Sequence, residues 1–224
     1  VTGVERRAVQ EAAEFAGARP PVYIIEEPMA AAIGAGLPVA DPTGSMVVDV
    51  GGGTTEVAVL SLGGVVSSQS SRIGGDEMDD AIKQFLKKDK GVDVGDRTAE
   101  AIKVRLGSAH PLTREFRAAV TGRSLRTGLP ESVEFSTREI RDALEEPVDA
   151  IIDTVKVTLD RTPPELAADI LDHGIHLVGG GSLLIGLPDR IRAETGMPTR
   201  VVADPLGSVV MGAGLVLEEF SRYG

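Results

Sequence analysis

The chain has 224 residues, 42% hydrophobic and 25% charged, a composition typical of a folded protein rather than a disordered one. Its formal net charge of −11 argues against nucleic acid as a partner, because nucleic-acid-binding proteins usually carry a basic surface. The absence of cysteine excludes disulfide bonds and thiolate metal sites, and three scattered histidines do not suit a zinc site. No apolar run approaches the ~18 residues that a transmembrane helix needs.

The first part of the chain is predicted to form a helix, a strand and a second helix. Thr2 and Glu5 have capping-box spacing ahead of an apolar pattern of helical period, which Gly17 ends. The run "VYIIE" at 22–26 is typical of a buried strand. The segment "PMAAAIGAG" at 28–36 has proline at its start and glycine at its end, as short helices often do.

A strand meander is predicted next. The stretch "VVDVGGGTTEVAVLSLGG" at 47–64 gives strand, turn and strand, and its final glycines lead into a third strand at 65–73.

The rest of the chain alternates between helices and strands. A long helix is predicted from Ser136, where Glu139 completes a capping box, and Pro147 inside its apolar stripe predicts a bend or break. The other predicted helices are 75–91, 97–109, 163–174, 186–195 and 207–220, and the predicted strands are 115–120, 131–136, 175–178 and 199–202. This alternation favours α/β layers with a parallel component in the sheet.

Two glycine triplets follow apolar strands, in "VVDVGGGTTE" and "IHLVGGGS". Glycines at the end of a strand let backbone N–H groups approach an anion without obstruction by side chains. One triplet is equally well explained as a tight turn. Two of them, both after strands, favour a single ligand that is held from two sides.

Polar residues beside the first triplet support a phosphate site. Asp49, on the incoming strand, could hold a hydrated Mg²⁺, and the alternative is a buried aspartate that caps the loop amides. Thr54 and Thr55 offer hydroxyl groups for a phosphate or a water molecule. The lysine of a Walker A loop is absent, and the spacing is not that of a dinucleotide-binding turn.

The chain resembles the MreB family of bacterial actin homologues in seven segments that occur in the family's order. These are "VYIIEEPMAAAIGAGLPV", "VVDVGGGTTEVAVLSLGGVV", "RIGGDEMDDAI", "RTAEAIKVRLGSA", "GLPESVEFSTREIRDALEEPVDAII", "RTPPELAADILDHGIHLVGGGSLLIGL" and "DPLGSVVMGAGLVLE". Single motifs are shared with the wider superfamily of actin, DnaK-type chaperones and sugar kinases. "EEPMAAAIGAGLP" and "RTPPELAADI" are much more specific to MreB.

The resemblance implies an α/β fold of the actin-like ATPase type, with RNase-H-like sheets flanked by helices. It implies a partial domain I over residues 1–73, which includes the second phosphate loop, and a nearly complete domain II over residues 74–224. The closing helix, at 204–220, is expected to pack back on domain I.

The resemblance also implies a site for ATP or ADP with Mg²⁺. The implied cofactor-binding residues are Asp49, Gly51, Gly52, Gly53, Thr54, Thr55, Gly75, Asp76, Glu100, Lys103, Gly179, Gly180, Gly181 and Ser182. Glu27, with Thr54, is expected to orient the attacking water, and Asp49 is expected to bind Mg²⁺ through water. From spacing alone, Glu27 is equally well a solvated acid at a helix start, and Glu100 and Lys103 an exposed ion pair.

One family motif is missing. MreB proteins begin with a strand, a D-x-G-T loop and a second strand, and no D-x-G-T occurs in this chain. We therefore expect a fragment, a shortened paralogue or a protein whose N-terminal part lies on another chain. Nucleotide turnover is in doubt for this chain, although a slow ATPase is implied for the full-length family. Arg105 is a smaller departure, since an acidic residue is expected there.

The function implied is that of an ATP-dependent cytoskeletal filament subunit in bacterial cell shape and cell-wall organisation. The implied partners are further copies of the chain in a head-to-tail polymer, cell-wall synthesis proteins and membrane-anchored morphogenesis proteins. The implied location is the cytoplasm, peripheral to the inner face of the cell membrane. The alternative is a nucleotide-binding or interaction module without turnover. Half of a DnaK-type chaperone is disfavoured, because the sequence contains no substrate-binding β-domain.

Overall fold

The computed structural model describes the backbone of residues 2–223 and the side chains of residues 2–219. The α-helices of this part are α1 (Gly3–Phe15), α2 (Glu27–Gly34), α3 (Gly75–Asp89), α4 (Asp96–Leu106), α5 (Thr137–Ala143), α6 (Glu145–Asp160), α7 (Pro164–His173), α8 (Leu187–Thr195) and α9 (Ser208–Tyr223). A 3₁₀ helix spans Gly180–Leu183. The strands are β1 (Ser45–Val50), β2 (Thr55–Ser61), β3 (Gly64–Ser71), β4 (Val92–Asp93), β5 (Arg117–Ser124), β6 (Pro130–Ser136), β7 (Ile175–Val178) and β8 (Thr199–Val201).

The main sheet has five strands in the order β3-β2-β1-β7-β8, with β1 at its centre. β1 is antiparallel to β2 and parallel to β7, and β7 is parallel to β8. The turn between β1 and β2 aligns Val50 with Thr55 and Asp49 with Glu56. Each of the two parallel strands β1 and β7 ends at a glycine triplet, so the sheet brings the two triplets to one edge.

Strands from both sides of residue 73 share this sheet, because β1, β2 and β3 precede that residue and β7 and β8 follow it. The predicted boundary between 1–73 and 74–224 therefore passes between strands of one sheet. The division of the chain into two domains stays a prediction. The closing helix α9 does pack against α2, which lies in the first of the two predicted parts.

Both faces of the sheet are covered, so every residue of β1 is buried. On one face, alternate β1 residues such as Met46 and Val48 pack with apolar side chains of α3, α5, α6 and α7 in the larger core. On the other face, Val47 and Val178 pack with Ala31 and Ala32 of α2 in a smaller core. The second sheet has three short antiparallel strands in the order β4-β5-β6, and Phe135 of β6 is buried in the larger core.

Backbone contact joins α2 to α9. A Cβ on Gly34 would overlap the carbonyl oxygen of Ser208, and a Cβ on Gly212 would overlap that of Ala30. Glycine at both positions lets the helix backbones approach more closely than side chains normally permit. The contact fixes α2 over the sheet, and with it Glu27 at the first position of α2.

Most predicted elements are confirmed, including the meander and the capping boxes at Thr2 and Ser136. The predicted strand at 22–26 is wrong. This segment is extended but pairs with no strand of the described chain, and Val22 instead accepts a hydrogen bond from the Gln10 side chain at 2.9 Å. Extended backbone becomes a β-strand only when a neighbouring strand satisfies its hydrogen bonds.

The long helix predicted from Ser136 is in fact two helices, α5 and α6, which meet at Leu144. Pro147 therefore lies in the first turn of α6, where a missing N–H group costs little because the first N–H groups of a helix have no intrahelical acceptor. No helix of the described residues is long and apolar enough to cross a membrane.

Candidate functional site

The site is centred on Asp49, at the end of the central strand. Asp49 pairs with Glu56 across the antiparallel hairpin and with Val178 across the parallel pair. Its side chain is buried, with 6% of its surface exposed. The carboxylate therefore lies between the two glycine triplets, at the carboxyl ends of two parallel strands. That edge is where ligands usually bind in α/β sheets.

The environment of Asp49 disfavours the ionised form of its carboxyl group. Burial, and after it the negative charges of Glu27 and Glu56, together raise the pKa of Asp49 to about 6. The pKa of Glu56 is itself raised, chiefly by burial and then by Glu27. The charges of Glu27 and Glu56 thus act on Asp49, and a bound cation would offset this repulsion.

The first glycine triplet forms a closed turn that contacts the start of α3. The N–H of Gly51 donates to the carbonyl of Thr54 at 2.8 Å. The N–H groups of Gly75 and Asp76 donate to the carbonyls of Gly51 and Gly52 at 3.0 and 2.8 Å. The predicted phosphate turn and the predicted pair Gly75–Asp76 are therefore adjacent in the structure.

The residues of this turn differ in how accessible they are to a ligand. Gly52, Gly53 and Thr54 are exposed and can be reached by a ligand. Thr55 is fully buried, and its hydroxyl donates to the carbonyl of Ile73 at 2.7 Å, so this hydroxyl stabilises the fold. The Asp76 carboxylate lies beside Gly52 and Gly53 and adds further negative charge next to the turn.

The second triplet begins with a conformation that requires glycine. Gly179 has φ of 79° and ψ of 161°, a region that side chains exclude. A Cβ on Gly179 would also overlap Oδ1 of Asp49, and a Cβ on Gly181 would overlap the Val50 side chain. The buried Ser182 hydroxyl donates to the carbonyl of Gly179 at 2.6 Å, which closes the turn.

Lys103 of α4 connects the two sides of the site. Its Nζ donates to the carbonyl of Gly75 at 2.7 Å and to Oδ2 of Asp79 at 2.9 Å. The side chain also lines a small cavity of about 110 Å³ together with Gly180 and Gly181. Lys103 is therefore paired with Asp79, rather than with Glu100 as spacing along the helix suggested.

Two predicted residues lie at the margin of the site. Glu100 is exposed on α4, one turn before Lys103, and does not line the small cavity. Glu27 is exposed at the first position of α2, close enough to Asp49 and Glu56 to raise the pKa of both.

Sequence reasoning missed Asp79 and Glu56. Burial raises the pKa of Asp79 in spite of the hydrogen bond from Lys103, and its Oδ1 has no partner among the described residues. The acidic run "DEMDD" at the start of α3 was the only sequence signal for Asp79. Glu56 could have been found from the turn itself, because a hairpin that closes at residues 51–54 places residue 56 opposite residue 49.

The sequence matches the protein-family model described as "MreB/Mbl protein" over residues 1–224. The chain belongs to the MreB/Mbl family. The cell shape-determining protein MreB of Escherichia coli K12 is 52% identical to it over 223 residues. That alignment covers 100% of this chain and 64% of the E. coli protein, so the chain spans a little under two thirds of this MreB relative.

Solved structures agree with the family assignment. MreB5 of Spiroplasma citri bound to ADP superposes with a TM-score of 0.95 at 34% identity, over 100% of this chain and 68% of MreB5. A second MreB5 structure, bound to AMPPNP, gives a TM-score of 0.94. A double helical filament of MamK matches with a TM-score of 0.79 at 21% identity, over 97% of this chain and 66% of MamK, which shows the fold alone. The fold of this MreB/Mbl chain is accordingly the predicted actin-like α/β fold.

Proposed function

We propose that this chain binds ATP or ADP between its two glycine triplets, as part of an ATP-dependent filament subunit that determines bacterial cell shape. The observation that carries this proposal is the contact of Asp49 with Gly179, at the edge where parallel strands β1 and β7 end. A phosphate chain there would meet backbone N–H groups from the first turn. The nucleotide-bound MreB5 structures, of the same fold, support this choice of ligand.

The residues of the site fit a Mg²⁺ ion that accompanies the nucleotide. Asp49 supplies a carboxylate whose pKa is raised by burial and then by acidic neighbours, and Asp76 adds negative charge at the turn. No group of three or more potential ligands is preassembled among the described residues, which is usual for Mg²⁺ because it retains water and binds phosphate oxygens. When bound, the ion would offset the charge of the phosphates and of these carboxylates.

The adenosine side of the nucleotide is assigned to the small cavity that Lys103, Gly180 and Gly181 line. Its other walls are apolar and include Met78 and Val104, which suits a flat heterocycle. Thr55 and Ser182 would contribute backbone groups, since their hydroxyls already donate within the fold.

The proposed assembly and location are based on the family assignment. A filament subunit uses one surface on each side to contact the next copy, which is the geometry of an open, head-to-tail polymer. The MamK filament shows that this fold is found in a helical polymer. We propose contacts with cell-wall synthesis proteins and membrane-anchored morphogenesis proteins at the inner face of the cell membrane. The name of the E. coli relative supports only the role in cell shape.

A second candidate is a nucleotide-binding module without turnover. The observation in its favour is Glu27, which is exposed and makes no hydrogen bond or ion pair with the described residues. A carboxylate that orients an attacking water needs a fixed position, and no hydrogen bond or ion pair with the described residues fixes the side chain of Glu27, although α2 itself packs against α9 and the sheet. Binding and turnover therefore have to be tested separately.

Binding is tested by calorimetric titration of the chain with ADP, with and without Mg²⁺. We expect saturable ADP binding that Mg²⁺ strengthens. The Asp49→Asn variant should bind ADP about tenfold more weakly, and Mg²⁺ should no longer strengthen its binding. Asp160→Asn, at an exposed acid on α6, is the matched control and should change neither. If ADP does not bind the wild-type chain at millimolar concentration, the proposal fails.

Turnover is tested by phosphate release from ATP, with Glu27→Ala as the variant. Loss of a measurable rate in Glu27→Ala, with ADP affinity retained, would support the filament ATPase. Binding without release in the wild type would instead favour the module without turnover.

A further inference from the structure

A second polar cavity lies at the opposite end of the main sheet from the glycine triplets. It has a volume of about 390 Å³ and is lined by the loop after α2, by Ser45 at the start of β1, and by His173, His176 and Arg200. Ser45 and Val50 are the two ends of β1, about 16 Å apart along the strand, so the Ser45 side of the cavity lies away from the first glycine turn. Nothing in the proposed nucleotide site uses these residues.

The ionisable side chains that line this cavity are all basic. Its lining includes one arginine and two histidines, and none of the described lining residues is acidic. Arg200 has no carboxylate within 4.0 Å in the described part of the chain. In a chain of net charge −11, this is a locally basic pocket.

A buried histidine orients the arginine. His176 is 5% exposed, and it lies beside Arg200 because the two residues are partners across β7 and β8. One guanidinium nitrogen of Arg200 lies 2.5 Å from Nε2 of His176. Since an arginine can only donate, Nε2 accepts, and the neutral ring carries its proton on Nδ1.

The same histidine has an unmet hydrogen-bonding group. Nδ1 of His176 is buried without a hydrogen bond of normal geometry to any described residue, although the backbone of Met46 is close to the ring. Burial lowers the pKa of His176, and the positive charges of Arg200 and His173 lower it further. A negative charge in the cavity would act in the opposite direction.

We propose that this cavity is a binding site for a carboxylate, held by the guanidinium of Arg200 and assisted by His173 and His176. The guanidinium uses one donor on His176 and keeps others, which in arginine form a planar fork that matches a carboxylate. The buried imidazole fixes the orientation of that fork before a ligand arrives, so less side-chain entropy is lost on binding. The carboxylate belongs either to a small free acid or to an acidic side chain of another copy of this chain.

The histidine signals provide a direct test. The chain contains only His110, His173 and His176, so a ¹H–¹³C spectrum of the ring Cε1 positions can be assigned with His110→Asn and His173→Asn. Titration with succinate should shift the His176 signal saturably and raise the pKa of His176. Arg200→Gln should weaken this binding about tenfold or more, and Arg200→Lys, which keeps the charge without the fork, should give an intermediate loss.

The matched control is Arg161→Gln, at an exposed arginine that forms no ion pair with the described residues. It should bind succinate like the wild type. Because Arg200 is exposed on the edge strand β8, its variants are expected to fold, which thermal unfolding checks.

A dilution series without succinate distinguishes the two sources of the carboxylate. If another copy supplies it, the His176 signal will depend on protein concentration, and sedimentation will show an association that Arg200→Gln reduces. If a free acid supplies it, succinate will shift the signal and dilution will not. The proposal is overturned if neither succinate nor protein concentration affects His176, or if Arg161→Gln weakens succinate binding as much as Arg200→Gln does.

Discussion

Asp49 and Gly179 are in direct contact where β1 and β7 end, and Oδ1 of Asp49 occupies the space that a Cβ on Gly179 would need. The two residues lie far apart in the sequence and on different glycine motifs. Their contact turns two separate turns into one site, and it makes the second turn sensitive to any side chain at residue 179.

Gly179→Ala should destabilise the chain and abolish nucleotide binding. The backbone strain at this φ and ψ costs about 1–3 kcal/mol, and displacement of Asp49 and the Val50 carbonyl adds to it. Urea unfolding and ADP titration measure the two effects. Gly196→Ala is the control, because Gly196 also has a positive φ, of 73°, but a Cβ there meets nothing within 4 Å. An equal loss of stability in both variants would contradict a role for the contact.

Asp49→Asn should stabilise the nucleotide-free chain at pH 8 and have little effect below pH 4. The folded pKa of Asp49, about 6, lies above its ordinary value, so the folded state binds a proton that the unfolded state has released between these pH values. The contribution of Asp49 to stability is thus present at low pH and is lost as the pH rises through about 6. Removing the charge should recover roughly 1–3 kcal/mol at pH 8.

Unfolding by urea at several pH values, with Asp49→Asn and wild type compared, measures this difference. The comparison cancels the titration of other groups that both proteins share. A variant that is less stable than the wild type at pH 8 would mean that the charged Asp49 is compensated in the folded chain.

Gly212→Ala should separate α9 from α2. Its Cβ would overlap the carbonyl of Ala30, and the backbones would have to move apart at an expected cost of about 1–3 kcal/mol. Gly214→Ala, two residues further along the same helix, meets nothing within 4 Å and should stabilise the chain by about 0.5–1 kcal/mol through helix propensity. Thermal unfolding of both variants gives opposite shifts if the backbone contact exists as described.

Lys103 and Asp79 should be coupled in a double-mutant cycle. Lys103→Met leaves the half-buried carboxylate of Asp79 without its cation, and we expect a loss of roughly 2–4 kcal/mol in the free energy of unfolding. Asp79→Asn in the same chain should recover part of that loss, because the uncompensated charge is then gone. Urea unfolding of the four proteins gives the coupling energy. Additive single effects would show that the two side chains do not interact.

Much of this fold could be predicted from short-range patterns in the sequence. The capping boxes at Thr2 and Ser136 and the turn before Thr55 depend on residues a few positions apart, and all three are confirmed. The prediction of a strand at 22–26 is wrong because an apolar pattern does not indicate whether a partner strand is present. Pro147 was interpreted as the site of a bend or break, but the boundary between the two helices lies three residues earlier, at Leu144.

The candidate site was only partly predictable, because its geometry depends on contacts between distant segments. The glycine triplets and Asp49 belong to short sequence motifs that can be recognised without knowledge of the fold. The Lys103–Asp79 pair depends on how α3 packs against α4, and the spacing of Glu100 and Lys103 on one helix suggested a different partner. The hydroxyl of Thr55 was predicted to face a ligand, but the alternation of β2 directs it to the carbonyl of Ile73.

The strand order β3-β2-β1-β7-β8 has a consequence for how the chain is made. The central strand β1 obtains its first neighbour, β2, as soon as the next residues are synthesised. Its second neighbour, β7, follows only after β3, five helices (α3 to α7) and the three strands of the second sheet have been added. Until then one edge of an entirely buried, apolar strand has no hydrogen-bonding partner, which is the state most prone to pair with another chain. Newly made chains are therefore expected to need protection from aggregation until β7 has emerged. The nucleotide site becomes complete only when the second glycine triplet, which directly follows β7, has been added.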